Sequence, residues 1–358
     1  MQSATTQRPV TRRANTVRNS RTAAAIIVGT FLLFASMIAS ASVGSVPYTF
    51  MAMFRAFLHG PPNLNAAILP SDTVITLWTL RLPRIVLACL VGASLSCAGL
   101  AFQSLFRNDL ADPYVAGVSA GASVGAEAVL LRQGEFWLSG FAVPTAAFFG
   151  ATLAIATVYF IAKRDGRVQI NTLLLSGVIV SAFLGAVSTL LLQLHNPDDY
   201  VHILNRLMGS LQDATFAQCS TLAAVLVVGY LVLTLISRHM NILALGEHTA
   251  QQLGLEPEKL KIVLIAVGSL LTASTVAFAG IIGFVGLAVP HIARRMVGSP
   301  DHTSVLPVTA IYGGVLMIWA DTLARTVMPD GRELPVGIVT AFLGAPFFCL
   351  LLRKKQAD

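Results

Sequence analysis

Residues 79–125 read TLRLPRIVLACLVGASLSCAGLAFQSLFRNDLADPYVAGVSAGASVG, and they carry the two patterns that decide the fold. The first is an unbroken apolar run at 84–105, with Gly92, Ser96 and Gly99 at helical spacing. A helix needs about 20 such residues to cross a bilayer. The second is Gly117, Gly121 and Gly125, one small residue every four, with Ser119 and Ser123 beside them. Small residues in that register let two helix backbones approach closely, which matters where lipid supplies no hydrophobic force between helices. These glycines are expected to pack helices and to border a passage.

Outward from this stretch the same texture continues. Of the 358 residues 55% are hydrophobic and only 11% charged, against about 25% charged in an ordinary soluble domain. Mean hydropathy is +0.73. This composition excludes disorder, coiled coil and a disulfide scaffold. Apolar runs recur at about 23–43, 84–105, 114–131, 140–162, 171–193, 216–236, 262–279, 281–297, 305–327 and 335–352. The expected architecture is all-α and polytopic, with ten transmembrane helices. The run at 281–297 is the weakest, because Gly280, Gly283, Gly286 and Pro290 interrupt it.

Charge sets the orientation. With the N-terminus inside and the runs alternating, 17 of the 24 lysines and arginines, and every lysine, fall on the inner side. That is the positive-inside bias of a membrane protein. The net charge of +7 is therefore an orientation signal whose partner is anionic lipid, not nucleic acid. The expected layout is a basic cytoplasmic tail at 1–22, one membrane domain at 23–352 and a cytoplasmic tail at 353–358. Arg12–Arg13 lack the apolar residue that would follow in a twin-arginine signal. Ala39-Ser40-Ala41 resembles a cleavage site, but its apolar run exceeds the 7–15 residues of a signal peptide, so the run is read as a retained span. Between 44 and 83, Met53, Phe54, Phe57 and Leu58 with Phe50 repeat at helical spacing and predict a packed or interfacial helix.

Chemistry-bearing patterns are sparse. There is no Gly-Lys pair, hence no phosphate-binding loop, and no HExxH. Cys89, Cys97, Cys219 and Cys349 sit singly in apolar runs and read as small core residues; His195 and His202 read as loop histidines. No metal, cofactor or catalytic set is expected, and an intramembrane enzyme is disfavoured. Asp321 and Arg325 are four apart and can pair on one helix face. They and Glu127 lie in the outer half of their runs. The inner half holds no ionisable relay, which argues against an ion-coupled carrier.

The longest inner loop, 238–261, reads RHMNILALGEHTAQQLGLEPEKLK. Leu245, Thr249 and Leu253 fall four apart, Gly246 and Gly254 punctuate the segment and Pro257 closes it. A short amphipathic helix of this kind suits a groove on a soluble partner.

These blocks, with AGIIGFVGLAVPHIARRMVGSPDH at 279–302, WADTLART at 319–326 and ELPVGIVTAFLGAPFFCLLLRK at 333–354, resemble the FecCD/BtuC-type permeases. Those are the membrane subunits of ABC importers for iron–siderophores, haem and vitamin B12. The likeness spans about 79–352. It implies a BtuC-like ABC importer permease fold in the bacterial inner membrane, both termini cytoplasmic. The implied partners are a second permease subunit (an identical or related chain), two cytoplasmic ABC ATPase subunits and a periplasmic or lipid-anchored binding protein. ATP is hydrolysed in the separate ATPase, so this chain is no enzyme. The resemblance makes Leu243, Leu245, Gly246, Glu247, Ala250, Leu253 and Gly254 the coupling loop toward the ATPase, although His248 and Thr249 depart from the family's small residues. It makes Arg81, Arg84 and Arg325 the arginines that receive the binding protein, and 198–210 a short outer helix beside the pathway exit. An iron(III)–siderophore chelate is the expected cargo, with haem or vitamin B12 as alternatives.

Overall fold

The computed structural model describes residues 8–44, 48–61, 72–131, 142–194, 200–328 and 332–355. His195 and Arg132 lie outside them. Each of the ten apolar runs coincides with a helix: α1 (Arg8–Ser42), α4 (Leu82–Phe106), α5 (Val118–Leu130), α6 (Ala142–Ala162), α7 (Ile170–Gln193), α9 (Phe216–Ala244), α11 (Pro257–Ala279), α12 (Val285–Val297), α13 (His302–Thr326) and α14 (Val336–Lys355). Between them come α2 (Phe50–His59), α3 (Asp72–Ile75), α8 (Tyr200–Leu207) and α10 (Glu247–Gln252). A two-residue hairpin, β1 (Lys163–Arg164) with β2 (Arg167–Val168), joins α6 to α7.

Among the described residues, seven helices are long and apolar enough to cross a membrane. Length alone does not confirm the exact count of ten full spans. Helices α5 and α12 have 13 residues each, about 20 Å at about 1.5 Å per residue, and the apolar part of α14 covers only Val336–Cys349. The reason is local. Asp112 caps a 3₁₀ turn at Pro113–Ala116, and Gly117 at φ 80° ends it, so α5 starts at Val118 rather than 114. Gly280 at φ 71° and Phe284 at φ 68° hold 280–284 out of helix, so α12 starts at Val285 rather than 281.

Helix α4 is the central post. It is apolar all round and buried all round, as such a helix must be. Its glycines explain how neighbours come so near. A Cβ at Gly92 would fall on the carbonyl of Gly313 in α13, and one at Gly99 on the carbonyl of Gly286 in α12. By contrast α1, α6, α7 and α9 leave Phe31, Phe160, Phe183 and Leu235 largely exposed. An apolar belt of this kind suits hydrocarbon, not water.

The broken segment 280–284 is braced by side chains. Tyr114 Oη accepts from Ile282 N and donates to Ile282 O, both at 3.2 Å. Pro290 has no N–H, which frees the carbonyl of Gly286 one turn earlier. Gln103 of α4, buried, reaches that carbonyl at 3.4 Å and Leu287 O at 3.3 Å through Nε2. Its Oε1 accepts from Arg294 Nη1 at 2.7 Å. Thus α4 supplies the hydrogen bond that the proline removed, as an interrupted helix at membrane depth requires.

Helix α2 sits against Val74, Leu77 and Trp78 through Met53 and Ala56. Phe54, Phe57 and Leu58, expected on that same face, are exposed instead, though Phe57 stacks on Trp78 at 5.8 Å.

Candidate functional site

The loop expected at 238–261 is shorter than its sequence suggests, because α9 continues through Ala244. Leu243 is therefore buried helix rather than free loop. The elbow proper is α10. Gly246 at φ 111° turns the chain into it and Gly254 at φ 80° turns it out. Leu255 N donates to Ala250 O at 3.0 Å, closing the helix in the glycine-ended manner. Ala250 is fully buried, whereas Leu245 and Leu253 are 65% and 61% exposed, with His248 and Thr249 exposed between them. Two leucines standing in solvent on either side of one helical turn are costly unless something covers them.

What holds the elbow was missed in the sequence. Lys261, at the start of α11 and only 2% exposed, donates to Glu247 Oε2 at 2.8 Å, Glu258 Oε1 at 2.9 Å and Val168 O at 3.2 Å. Glu258 Oε2 accepts from Val168 N at 2.8 Å. The Glu258–Lys261 spacing of three was legible; the Val168 partner, from a distant hairpin, was not. Nearby, Asn241 Nδ2 donates to Asp301 Oδ1 at 2.7 Å, while Asn241 Oδ1 accepts from His302 N at 2.9 Å, tying the end of α9 to the start of α13.

At the opposite end of the bundle the three arginines expected at a docking rim do not form an open rim. Arg81, Arg84 and Arg325 are 6%, 8% and 7% exposed. Arg84 grips Asp321 through Nε at 2.9 and 3.1 Å and Nη2 at 2.9 Å, and Glu333 through Nη1 at 2.7 Å. Arg325 Nε lies 3.2 Å from Asp321 Oδ2, and its Nη2 donates to Ser40 Oγ at 2.7 Å. Arg81 donates to Ala41 O at 2.5 Å and lies 5.1 Å above the Tyr48 ring. Arg84, the main partner of Asp321, and Glu333, which also accepts from Gln212 Nε2 at 2.9 Å, were not foreseen in this role. The fork donors of these arginines are committed inward, to carboxylates and carbonyls of the chain itself.

The small residues divide. Cβ atoms at Gly121 and Gly125 would meet the backbone of α6 at Gly150 and Ala146, so both are packing contacts. Gly117 instead serves the turn before α5, with nothing nearer than 3.5 Å to its would-be Cβ. None of the three lines a separate apolar recess near α14. That recess, about 630 Å³, lies between α8, the broken segment and α14, walled by Met208, Ile281, Phe284, Ile338 and Phe342. Glu127, fully buried, accepts from Ser188 Oγ of α7 at 2.6 Å.

Residues 31–354 match the FecCD transport family. The chain is 39% identical over 356 residues to the cobalamin import system permease protein BtuC of Halobacterium salinarum, covering 91% of this chain and 94% of that one. It is 32% identical over 344 residues to the hemin transport system permease protein HmuU of Yersinia pestis, covering 94% and 98%. A solved inward-facing conformation of a metal-chelate type ABC transporter superposes with a TM-score of 0.78 at 28% identity, over 93% of this chain and 99% of that one.

Proposed function

The chain belongs to the FecCD transport family, and from that premise we propose that it is the membrane permease of an importer driven by ATP in a separate subunit. As a member of that family it is an integral membrane transport component of an ABC importer. The finer assignments are ours. The elbow carries them: α10 is held rigidly from below by Lys261 while Leu245 and Leu253 face outward. An ATPase cleft covering those leucines would receive the helix and pass its closure into α9 and α11. We place this end, which gathers Arg107, Arg164, Arg167 and Lys261, in the cytoplasm of a bacterial inner membrane, with both termini on that side.

At the other end a binding protein would deliver the cargo. Arg81, Arg84 and Arg325 would serve that docking by holding the helix ends in register; direct pairing with the partner's acids would first require Asp321 or Glu333 to let go. The proposed assembly is two permease subunits, two ATPases and one binding protein. The cargo is a metal chelate with a largely organic surface, which suits the apolar recess beside α8 and α14. An iron(III)–siderophore remains the first choice by resemblance. Cobalamin and hemin, named in the relatives, are the other two arms of the test.

The experiment is reconstitution into liposomes with an ABC ATPase and a binding protein from the same organism. Radiolabelled cyanocobalamin, hemin and a ferric hydroxamate are supplied outside and ATP inside. Accumulation of one of them that needs both partners and survives an uncoupler supports the reading. Accumulation without the ATPase, abolished by an uncoupler, would establish an ion-coupled carrier instead.

A further inference from the structure

We propose that Lys261 is a positioning residue that welds α10, the 163–168 hairpin and the start of α11 into one rigid body, so that a push on the elbow moves all three together. The inference rests on the importer reading above and goes beyond it, to the element that transmits the push. Three observations carry it. An ammonium has three donors, and here each is used on a different segment: Glu247 on α10, Glu258 on α11 and the Val168 carbonyl on β2. Glu258 closes the ring by accepting from the Val168 N–H, so both backbone groups of Val168 are held by a pair three residues apart on α11. The ammonium is buried while both carboxylates remain partly open to water, so the joint is anchored on its hidden member.

Ala250 is buried beneath the elbow, but the elbow's two ends are soft hinges. Gly246 and Gly254, in left-handed backbone, flank it, and a Cβ at Gly254 would meet nothing within 4 Å. Between them α10 is six residues long, too short to be stiff by itself. The hairpin likewise pairs only two residues per strand. Each piece is weak alone, and Lys261 is where they meet. Arg107, Arg164 and Arg167 line the same groove of about 850 Å³ as the two carboxylates. They can neutralise Glu247 and Glu258 when the lysine is removed, so Lys261→Met is expected to fold.

The test uses the complex with its ATPase in lipid nanodiscs. Spin labels are placed at the exposed positions Lys163 and Thr249, in chain lacking Cys89, Cys97, Cys219 and Cys349 and diluted with unlabelled chain. In the parent protein the 163–249 distance should be narrow and unchanged between nucleotide-free and ATP–vanadate states. In Lys261→Met it should broaden and differ between the states, and cargo moved per ATP should fall at least about fivefold, the scale of a lost coupling between sites. Loss of a purely structural residue would lower protein yield and leave that ratio alone. Glu247→Ala severs only the α10 arm and gives the same readout should Lys261→Met not fold. An unchanged distance and an unchanged ratio in whichever variant folds overturns the proposal. Failure of the parent chain to assemble with an ATPase overturns the importer reading instead; the distance in the isolated chain then decides the weld by itself.

Discussion

Consider the removal of one carboxylate, Asp321→Ala. Asp321 is 1% exposed and receives Arg84 through three N–O contacts of 2.9–3.1 Å and Arg325 through a fourth at 3.2 Å. The four groups Arg84, Arg325, Asp321 and Glu333 balance in charge. Deleting Asp321 leaves two buried guanidinium groups against the single carboxylate of Glu333. Breaking a buried pair from one side costs about 3–5 kcal/mol, chiefly because an uncompensated charge stays behind. At about 1.4 kcal/mol per factor of ten, unfolding should accelerate by roughly two to three and a half orders of magnitude if the loss falls on the native state. The assay is the half-life of monodisperse protein in detergent at fixed temperature, since helical membrane proteins are judged by rate rather than equilibrium. The double variant Asp321→Ala, Arg325→Met restores neutrality around Arg84 and Glu333 and should recover a large part of the loss. If Asp321→Ala is as durable as the parent, or if the double variant is worse than the single by the full sum of two losses, the cluster is not an internal clamp. The same logic applies to Arg81→Glu with Arg84→Glu. Any drop in uptake should track a drop in the amount of folded protein, not docking alone.

Three further outcomes follow from the packing. Gln103→Leu strips the carbonyls of Gly286 and Leu287, and Arg294, of a buried partner; at about 1–3 kcal/mol per orphaned group it should shorten the heat half-life markedly, whereas Gln103→Glu, which keeps the acceptor for Arg294, should lose less. Gly99→Val drives a side chain into the carbonyl of Gly286, a backbone clash beyond the ~1–3 kcal/mol of ordinary overpacking, so membrane-inserted protein should be nearly absent on a blot. Gly254→Val meets open space but strains a left-handed residue; it should leave protein amount near normal while lowering transport per ATP, and an unchanged ratio would count against the elbow.

The ten helices were legible because each is a long apolar run, a property of neighbouring residues alone. Their lengths were less so. The break before α12 could be suspected from Gly280, Gly283 and Pro290, but the left-handed Phe284 that sets its end follows from packing against α14, where Gly344 lies under its ring. The elbow was legible in outline through its two glycines and the Leu245–Leu253 spacing. Its anchor was not, since Lys261 looks like one more inner-side cation until the hairpin is folded back upon it. Arg81, Arg84 and Arg325 show the same limit most plainly. Sequence places Arg84 near a membrane face; only the fold brings Asp321 and Glu333 to it from 237 and 249 residues away and turns a surface donor into a buried clamp.

These contacts also separate what can move from what cannot. Helix α4 is pinned to α13 by Gly92 against Gly313 and by Arg84 on Asp321, and to α12 by Gly99 against Gly286 and by Gln103 on the carbonyls of Gly286 and Leu287. Sliding α4 past either neighbour would break backbone-to-backbone contact and a buried hydrogen bond together. Any rocking that opens and closes a pathway must therefore fall elsewhere, among helices such as α7 and α14 whose faces stay exposed and whose grip on the post is slight. A disulfide tests this directly. A Cβ at Gly314 of α13 would lie 2.9 Å from Cys89 Sγ of α4, a spacing suited to a bridge between close Cβ atoms. Oxidised Gly314→Cys should cross-link to Cys89, confirmed by loss of one reactive thiol pair, and the locked protein should transport at the rate of its reduced form. Transport that stops on oxidation and returns with reductant would mean that α4 and α13 slide in the cycle, and the static post would have to be given up.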